Sequence, residues 1–159
     1  MSIEELAAAL VTACRALGRR LVLAESCTGG LIAGAITESA GASAVLERGW
    51  VTYSNQAKQE ELGVPPATLE KYGAVSAETA AAMATGALAH APADVDLALA
   101  VTGIAGPEGG SPEKPVGLVW FGLARRAGGP VLVEHHIFPG NRSEVRRATI
   151  RRGLELLLD

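Results

Sequence analysis

Three short strand-like runs in this chain each give way to a stretch of glycines, hydroxyls and amides before a helical pattern begins. Leu21–Ala24 leads into SCTGG, residues 47–53 (ERGWVTY) into SNQAK, and residues 95–101 (VDLALAV) into TGIAGPEGG. Repeated alternation of strand and helix within 159 residues fits one sheet packed between helices. Two more strands are expected near 116–125 and 130–138. The RAGG region joining them is too short for a parallel crossover, so the sheet must be mixed. The expected fold is α/β: a three-layer α/β/α sandwich around a mixed, mostly parallel sheet of about five strands. No internal repeat or linker is visible, so residues 1–159 read as a single domain.

Helices fill the intervals. Ser2 and Glu5 form a capping-box pair, and Ile3, Leu6, Leu10, Cys14 and Leu17 recur on one stripe before Gly18. Further helices are expected near 31–39, 55–61 and Leu69. An alanine-rich helix follows Ser76, burying Met83, Ala84, Ala87 and Leu88. A last helix is expected over 143–158, and a glycine- and proline-rich loop over 102–115.

Composition narrows the function. Hydrophobic residues make up 48% of the chain, enough for a substantial core. The 19 glycines and many alanines imply close packing of helices on the sheet. The net charge of -3 gives no long-range attraction to polyanions, which disfavours nucleic acid as a partner. No run approaches the ~18 apolar residues of a membrane helix. The N-terminus has Glu4 and Glu5 as its first charges and no basic head, so a cytoplasmic location with Cys14 and Cys27 reduced is expected. The three histidines, His90, His135 and His136, have no metal-binding spacing, and neither metal nor cofactor is expected.

Ligands of open α/β sheets bind beyond the carboxyl ends of the strands, where the three polar segments fall. In ESCTGG, Ser26 or Cys27 is a candidate nucleophile, and Thr28, Gly29 and Gly30 bring helix-start amides that suit an anion. A plain helix cap explains the same residues. The segment is neither a GxSxG elbow nor a phosphate-binding P-loop. In TYSNQAK, Lys58 is a candidate base beside Tyr53, provided that burial lowers its pKa from the free value near ~10.4. Otherwise it is a solvated lysine. In TGIAGPEGG, Thr102 marks a strand tip, and Gly103, Ile104, Ala105 and Gly106 offer a backbone wall or simply a turn. The arginines at 146, 147, 151 and 152 read as a solvated helix face. Arg142, after PGN, is placed to reach a phosphate.

Taken in order, AESCTGG (24–30), YSNQAK (53–58), VSAET (75–79), VTGIAGPEGG (101–110) and KPVGLVW (114–120) resemble the CinA C-terminal domain family across essentially the whole chain. The resemblance implies a serine amidohydrolase that converts nicotinamide mononucleotide to nicotinic acid mononucleotide and ammonia. It implies Ser26 as nucleophile, Lys58 as its partner, and Tyr53, Thr102 and Arg142 in support. It also implies a small nucleotide as substrate, and it admits a homodimer. Asn141 stands where the family pattern leads one to expect an acidic residue before the arginine. The rival readings are a nucleotide-binding module without turnover and a partner-binding protein linked to DNA uptake or repair.

Overall fold

The structure is a computed structural model describing residues 1–159. Five strands form one sheet: β1 (Leu21–Glu25), β2 (Leu46–Val51), β3 (Leu97–Gly103), β4 (Leu118–Arg125) and β5 (Leu132–Ile137). Their order is β2-β1-β3-β4-β5. The pairs β1–β2 and β1–β3 are parallel, and β3–β4 and β4–β5 are antiparallel. Only β4 therefore runs against the other four. Six helices complete the fold: α1 (Ile3–Leu17), α2 (Leu31–Thr37), α3 (Asn55–Leu62), α4 (Pro66–Tyr72), α5 (Ala77–His90) and α6 (Arg142–Leu158).

The two faces of the sheet are built from side chains of different size. Leu21, Leu23, Leu99, Val101, Val119 and Phe121 pack with α1, α2 and α6 in the larger core. The opposite face carries Ala24, Ala98, Ala100 and Ala124, and α5 meets it with Met83, Ala84 and Ala87. Small side chains let α5 approach the sheet closely. At Gly122 the approach is tightest, because an added Cβ would lie 2.5 Å from the Ala80 carbonyl oxygen.

Most expected elements appear within two or three residues of their sequence positions. The Ser2–Glu5 capping box is present, and Gly18 ends α1 in the left-handed conformation, φ 64°. Leu17 departs from expectation: it is exposed, because the final turn of α1 runs past the edge of the core. Leu88 is only half-buried. Thr102 and Gly103 belong to β3 rather than to the following loop, because antiparallel pairing with β4 carries the strand on to Gly103 opposite Val119. No helix is long and apolar enough to cross a membrane.

The contrast between glycines gives a test. Gly122→Ala is expected to destabilise the protein by about 1–3 kcal/mol, since backbone must shift to admit the methyl group. Gly34→Ala, in α2 with nothing within 4 Å of the added Cβ, is expected to be neutral or stabilising by up to ~1 kcal/mol. Urea midpoints at unchanged slope check both variants.

Candidate active site

The carboxyl ends of β1 and β3 lie side by side, and the segments leaving them enclose a cavity of about 260 Å³. β1 ends in Glu25, a buried carboxylate. It accepts hydrogen bonds from Thr28 Oγ1 at 2.6 Å, from Ile32 N at 3.0 Å and from Ala33 N at 3.0 Å. Gly30, at the helix cap, supplies no side chain, so Glu25 neutralises the first amides of α2 in its place.

The turn between Glu25 and α2 is held from two more directions. Ser26 N donates to the Val101 carbonyl at 3.1 Å. Arg146, on α6, donates from Nε to the Cys27 carbonyl at 3.0 Å and from Nη2 to the Thr28 carbonyl at 3.2 Å. Ser26 lies at the floor of the cavity and is itself buried.

Lys58 reaches Ser26 from the neighbouring element. Ser54 caps α3, placing Lys58 in its first turns, and the side chain is 1% exposed. Its Nζ donates to Ser26 Oγ at 3.0 Å, to the Thr52 carbonyl at 2.9 Å and to the Tyr53 carbonyl at 3.4 Å. Burial without a paired carboxylate disfavours the ammonium and lowers the pKa of Lys58 to about 8, a shift that Cys27 only partly opposes. The Thr52 hydroxyl beside it is buried with no hydrogen-bond partner. Burial pushes the Cys27 thiol up to about 11, so it stays protonated near neutral pH.

The other expected residues divide into two groups. Cys27, Tyr53, Thr102, Gly103, Ile104, Ala105, Gly106 and Arg142 line the cavity with Ser26 and Lys58. Thr28, Gly29 and Gly30 do not: the Thr28 hydroxyl and the amides of Ile32 and Ala33 are turned to Glu25, and Gly29 N donates to the Ser26 carbonyl at 3.1 Å. Tyr53 touches Lys58 only through its carbonyl. The residue is 62% exposed, and its hydroxyl accepts from Arg142 Nη2 at 2.9 Å. Arg142 Nη1 donates to the Gly106 carbonyl at 2.8 Å, so this guanidinium spans the segments that follow β2 and β3. Thr102 Oγ1 donates to the Ala74 carbonyl at 2.8 Å and makes no bond to Lys58. The N–H groups of Cys27, Ala105 and Gly106 find no main-chain acceptor. Asn141 caps α6 by accepting from Glu144 N at 2.9 Å, which an aspartate would do equally well.

Two contributors, Glu25 and Arg146, lie outside the expected set. Glu25 is a charged residue closing an apolar strand, three residues before a threonine, and that placement is a signal in itself. Arg146 follows Arg142 by four residues, which puts both on one face of α6.

The sequence matches the CinA C-terminal domain over residues 3–159. A nicotinamide-nucleotide amidohydrolase PncC of Enterobacter agglomerans is 55% identical over 144 residues, covering 91% of this chain and 86% of that protein. A CinA-like protein of Akkermansia muciniphila is 56% identical over 136 residues, covering 86% of this chain. The chain spans 32% of the length of that longer relative. Among solved structures, competence/damage inducible protein CihA from Agrobacterium tumefaciens superposes with a TM-score of 0.94 at 53% identity, covering 98% of this chain and 93% of that one. A family match that runs from the first turn of α1 to the last residue, on a fold shared with solved relatives over nearly its full length, shows that this chain belongs to the CinA C-terminal domain family.

Proposed function

We propose that this protein is a serine amidohydrolase that hydrolyses nicotinamide mononucleotide to nicotinic acid mononucleotide and ammonia, with Ser26 as nucleophile and Lys58 as general base and acid. The observation that carries the reading is the 3.0 Å contact between Ser26 Oγ and a buried lysine amine whose pKa is lowered to about 8. The PncC relative is named a nicotinamide-nucleotide amidohydrolase, which supports a nicotinamide nucleotide as substrate.

The chemistry follows from the geometry of the amine. Neutral Lys58 has two N–H bonds and one lone pair. With the Thr52 and Tyr53 carbonyls accepting the N–H bonds, the lone pair faces Ser26. Lys58 takes the hydroxyl proton as Oγ attacks the carboxamide carbon. The tetrahedral intermediate places its oxyanion among the N–H groups of Cys27, Ala105 and Gly106. Lys58 returns the proton to the leaving nitrogen, ammonia departs, and an ester to Ser26 remains. Water, deprotonated by the same amine, then attacks the ester; the bond to Ser26 Oγ breaks, Lys58 returns the proton to Oγ, and the carboxylate is freed with serine and neutral amine restored. Because the cationic pyridinium ring already withdraws electrons from the carboxamide, the carbonyl is activated before it meets the serine.

The cavity of about 260 Å³ is small beside the ~300–1,000 Å³ usual for ligand pockets. The ring and its amide occupy it, and the ribose phosphate lies at the mouth by Arg142. Arg142 spends one N–H on Gly106 and one on Tyr53, leaving three of its five for the phosphate. Tyr53 thereby acts on the arginine and not on the proton transfer, and Thr102 steadies the segment at Ala74. Cytoplasmic turnover accords with the two free, buried cysteines, Cys14 and Cys27.

Three outcomes test the proposal. Ser26→Ala is expected to lower ammonia release from nicotinamide mononucleotide by ~10³-fold or more while calorimetry still detects substrate binding; retained turnover would remove Ser26 from the mechanism. Activity is expected to rise with pH through about 8, as Lys58 loses its proton, and Lys58→Arg is expected to be inactive at every pH because guanidinium stays charged; a flat profile between pH 6.5 and 9 contradicts the assignment. Arg142→Ala is expected to raise KM for the nucleotide ~10-fold or more, with a smaller change for the phosphate-free riboside. Equal losses on the two substrates would mean that Arg142 does not read the phosphate.

A further inference from the structure

The segment that follows β3 is pinned along its length. Ile104 N donates to the Leu118 carbonyl at 2.9 Å, Gly117 N to the Ile104 carbonyl at 2.7 Å, and Ser111 N to the Lys114 carbonyl at 2.8 Å. Gly106 and Gly110 both lie against Val116, and a Cβ at Gly110 would sit 2.9 Å from the Val116 nitrogen. Glu108 stands midway between these two glycines and lines the catalytic cavity with Ser26, Lys58 and Arg142. It is exposed, and no other carboxylate lines that cavity. It forms no ion pair: Arg142, at the same mouth, gives its bonds to the Gly106 carbonyl and the Tyr53 hydroxyl instead. A fixed loop thus holds an uncommitted carboxylate where a ligand must pass.

We propose that Glu108 accepts hydrogen bonds from the two ribose hydroxyls of the substrate, so that the site selects ribosyl over deoxyribosyl nucleotides. This inference rests on the amidase reading, which sets the pyridine ring at Ser26 and the phosphate by Arg142. The ribose then bridges the two, carrying a vicinal pair of hydroxyls, each with a proton to donate. Few groups on the cavity wall can accept them. Arg142 is a donor only. Ser26 and Lys58 hold each other at 3.0 Å and face the carboxamide. The Tyr53 hydroxyl already accepts from Arg142, and Thr102, 1% exposed, turns its hydroxyl to the Ala74 carbonyl. The Ile104 and Gly106 carbonyls are spent on Gly117 and Arg142. Glu108 alone among the side chains offers two free oxygens, one for each hydroxyl of the diol.

Charge places the carboxylate at the same part of the ligand. A phosphate dianion would repel it, and Arg142 takes that end. The pyridinium is cationic and is joined directly to the ribose, so a carboxylate beside the sugar meets a favourable field. Arg142 and Glu108, unlike charges that do not pair with each other, thus match the two ends of one zwitterion. Hydrogen bonds to an ionised acceptor are also about twice as strong as those between neutral groups, which gives the diol weight in selection.

Calorimetry on the whole chain carrying Ser26→Ala tests this apart from turnover. That variant is expected to bind nicotinamide mononucleotide about tenfold or more tighter than its 2′,3′-dideoxyribose counterpart. Adding Glu108→Ala is expected to bring the two ligands within about twofold of each other, and adding Glu108→Gln, which keeps one acceptor oxygen, to leave an intermediate preference. Losing the carboxylate also relieves repulsion of the phosphate, so the ratio between the ligands is the readout and not either affinity alone. The phosphate-free riboside pair is expected to show the same change in ratio. No binding of either nucleotide, no preference between them, or a preference that survives Glu108→Ala would overturn the proposal. Ammonia release by the unsubstituted chain judges the amidase reading separately. A chain that binds with a Glu108-dependent preference and releases no ammonia would refute the hydrolysis and uphold the ribose contact.

Discussion

The Lys58 amine sits out of water with only a serine hydroxyl and two carbonyls for company, and the local architecture exists to hold it there. An ammonium in such a place loses hydration that two neutral dipoles do not restore, so burial lowers its pKa to about 8 and brings the neutral amine within reach of a mildly alkaline pH. The burden falls on neighbouring elements. β2 delivers the Thr52 and Tyr53 carbonyls, α3 sets the angle of the lysine stem, and α3 packs on α5, whose alanine face sits close against the sheet. A larger residue on that face would lift α5, loosen α3 and admit water to the amine. The small side chains in the second core thus bear directly on the charge state of a residue they do not touch.

The nucleophile is held in a complementary way. Ser26 is one residue beyond a buried carboxylate and one residue before a carbonyl gripped by Arg146. Glu25 satisfies the amides of α2, and Arg146 satisfies the carbonyls of the turn. Opposite charges, each bound to backbone and not to each other, fix the segment at both ends. Little is left for Ser26 to do but face Lys58.

Much of this was legible before the fold was known, and the reasons differ by element. α1 announced itself through local chemistry: a capping box, an apolar stripe and a terminal glycine lie within seventeen residues of one another. The three polar segments at strand ends were legible because an α/β sheet gathers its strand ends on one side. The burial of Lys58 was not. α3 is mostly polar and shows no apolar stripe, and only packing against elements distant in sequence turns its one lysine inward. For the same reason Arg146 looked like a member of a solvated arginine run, and Glu25 passed as the end of a strand. The expectation that amides around Thr28 to Gly30 serve a substrate anion did not allow for Glu25, which accepts from the Thr28 hydroxyl and from the amides of Ile32 and Ala33 one turn further on.

The lack of any carboxylate paired with Lys58 has a consequence for the cycle proposed above. An amine without a fixed counter-ion takes its charge from whatever occupies the cavity. A cationic ring arriving beside it repels the proton and leaves the base ready for the first step. The product brings a carboxylate to the same place, and that negative charge draws a proton back to the amine. Electrostatics would thus arm the site on entry and disarm it on completion, with the substrate and product themselves serving as the signal.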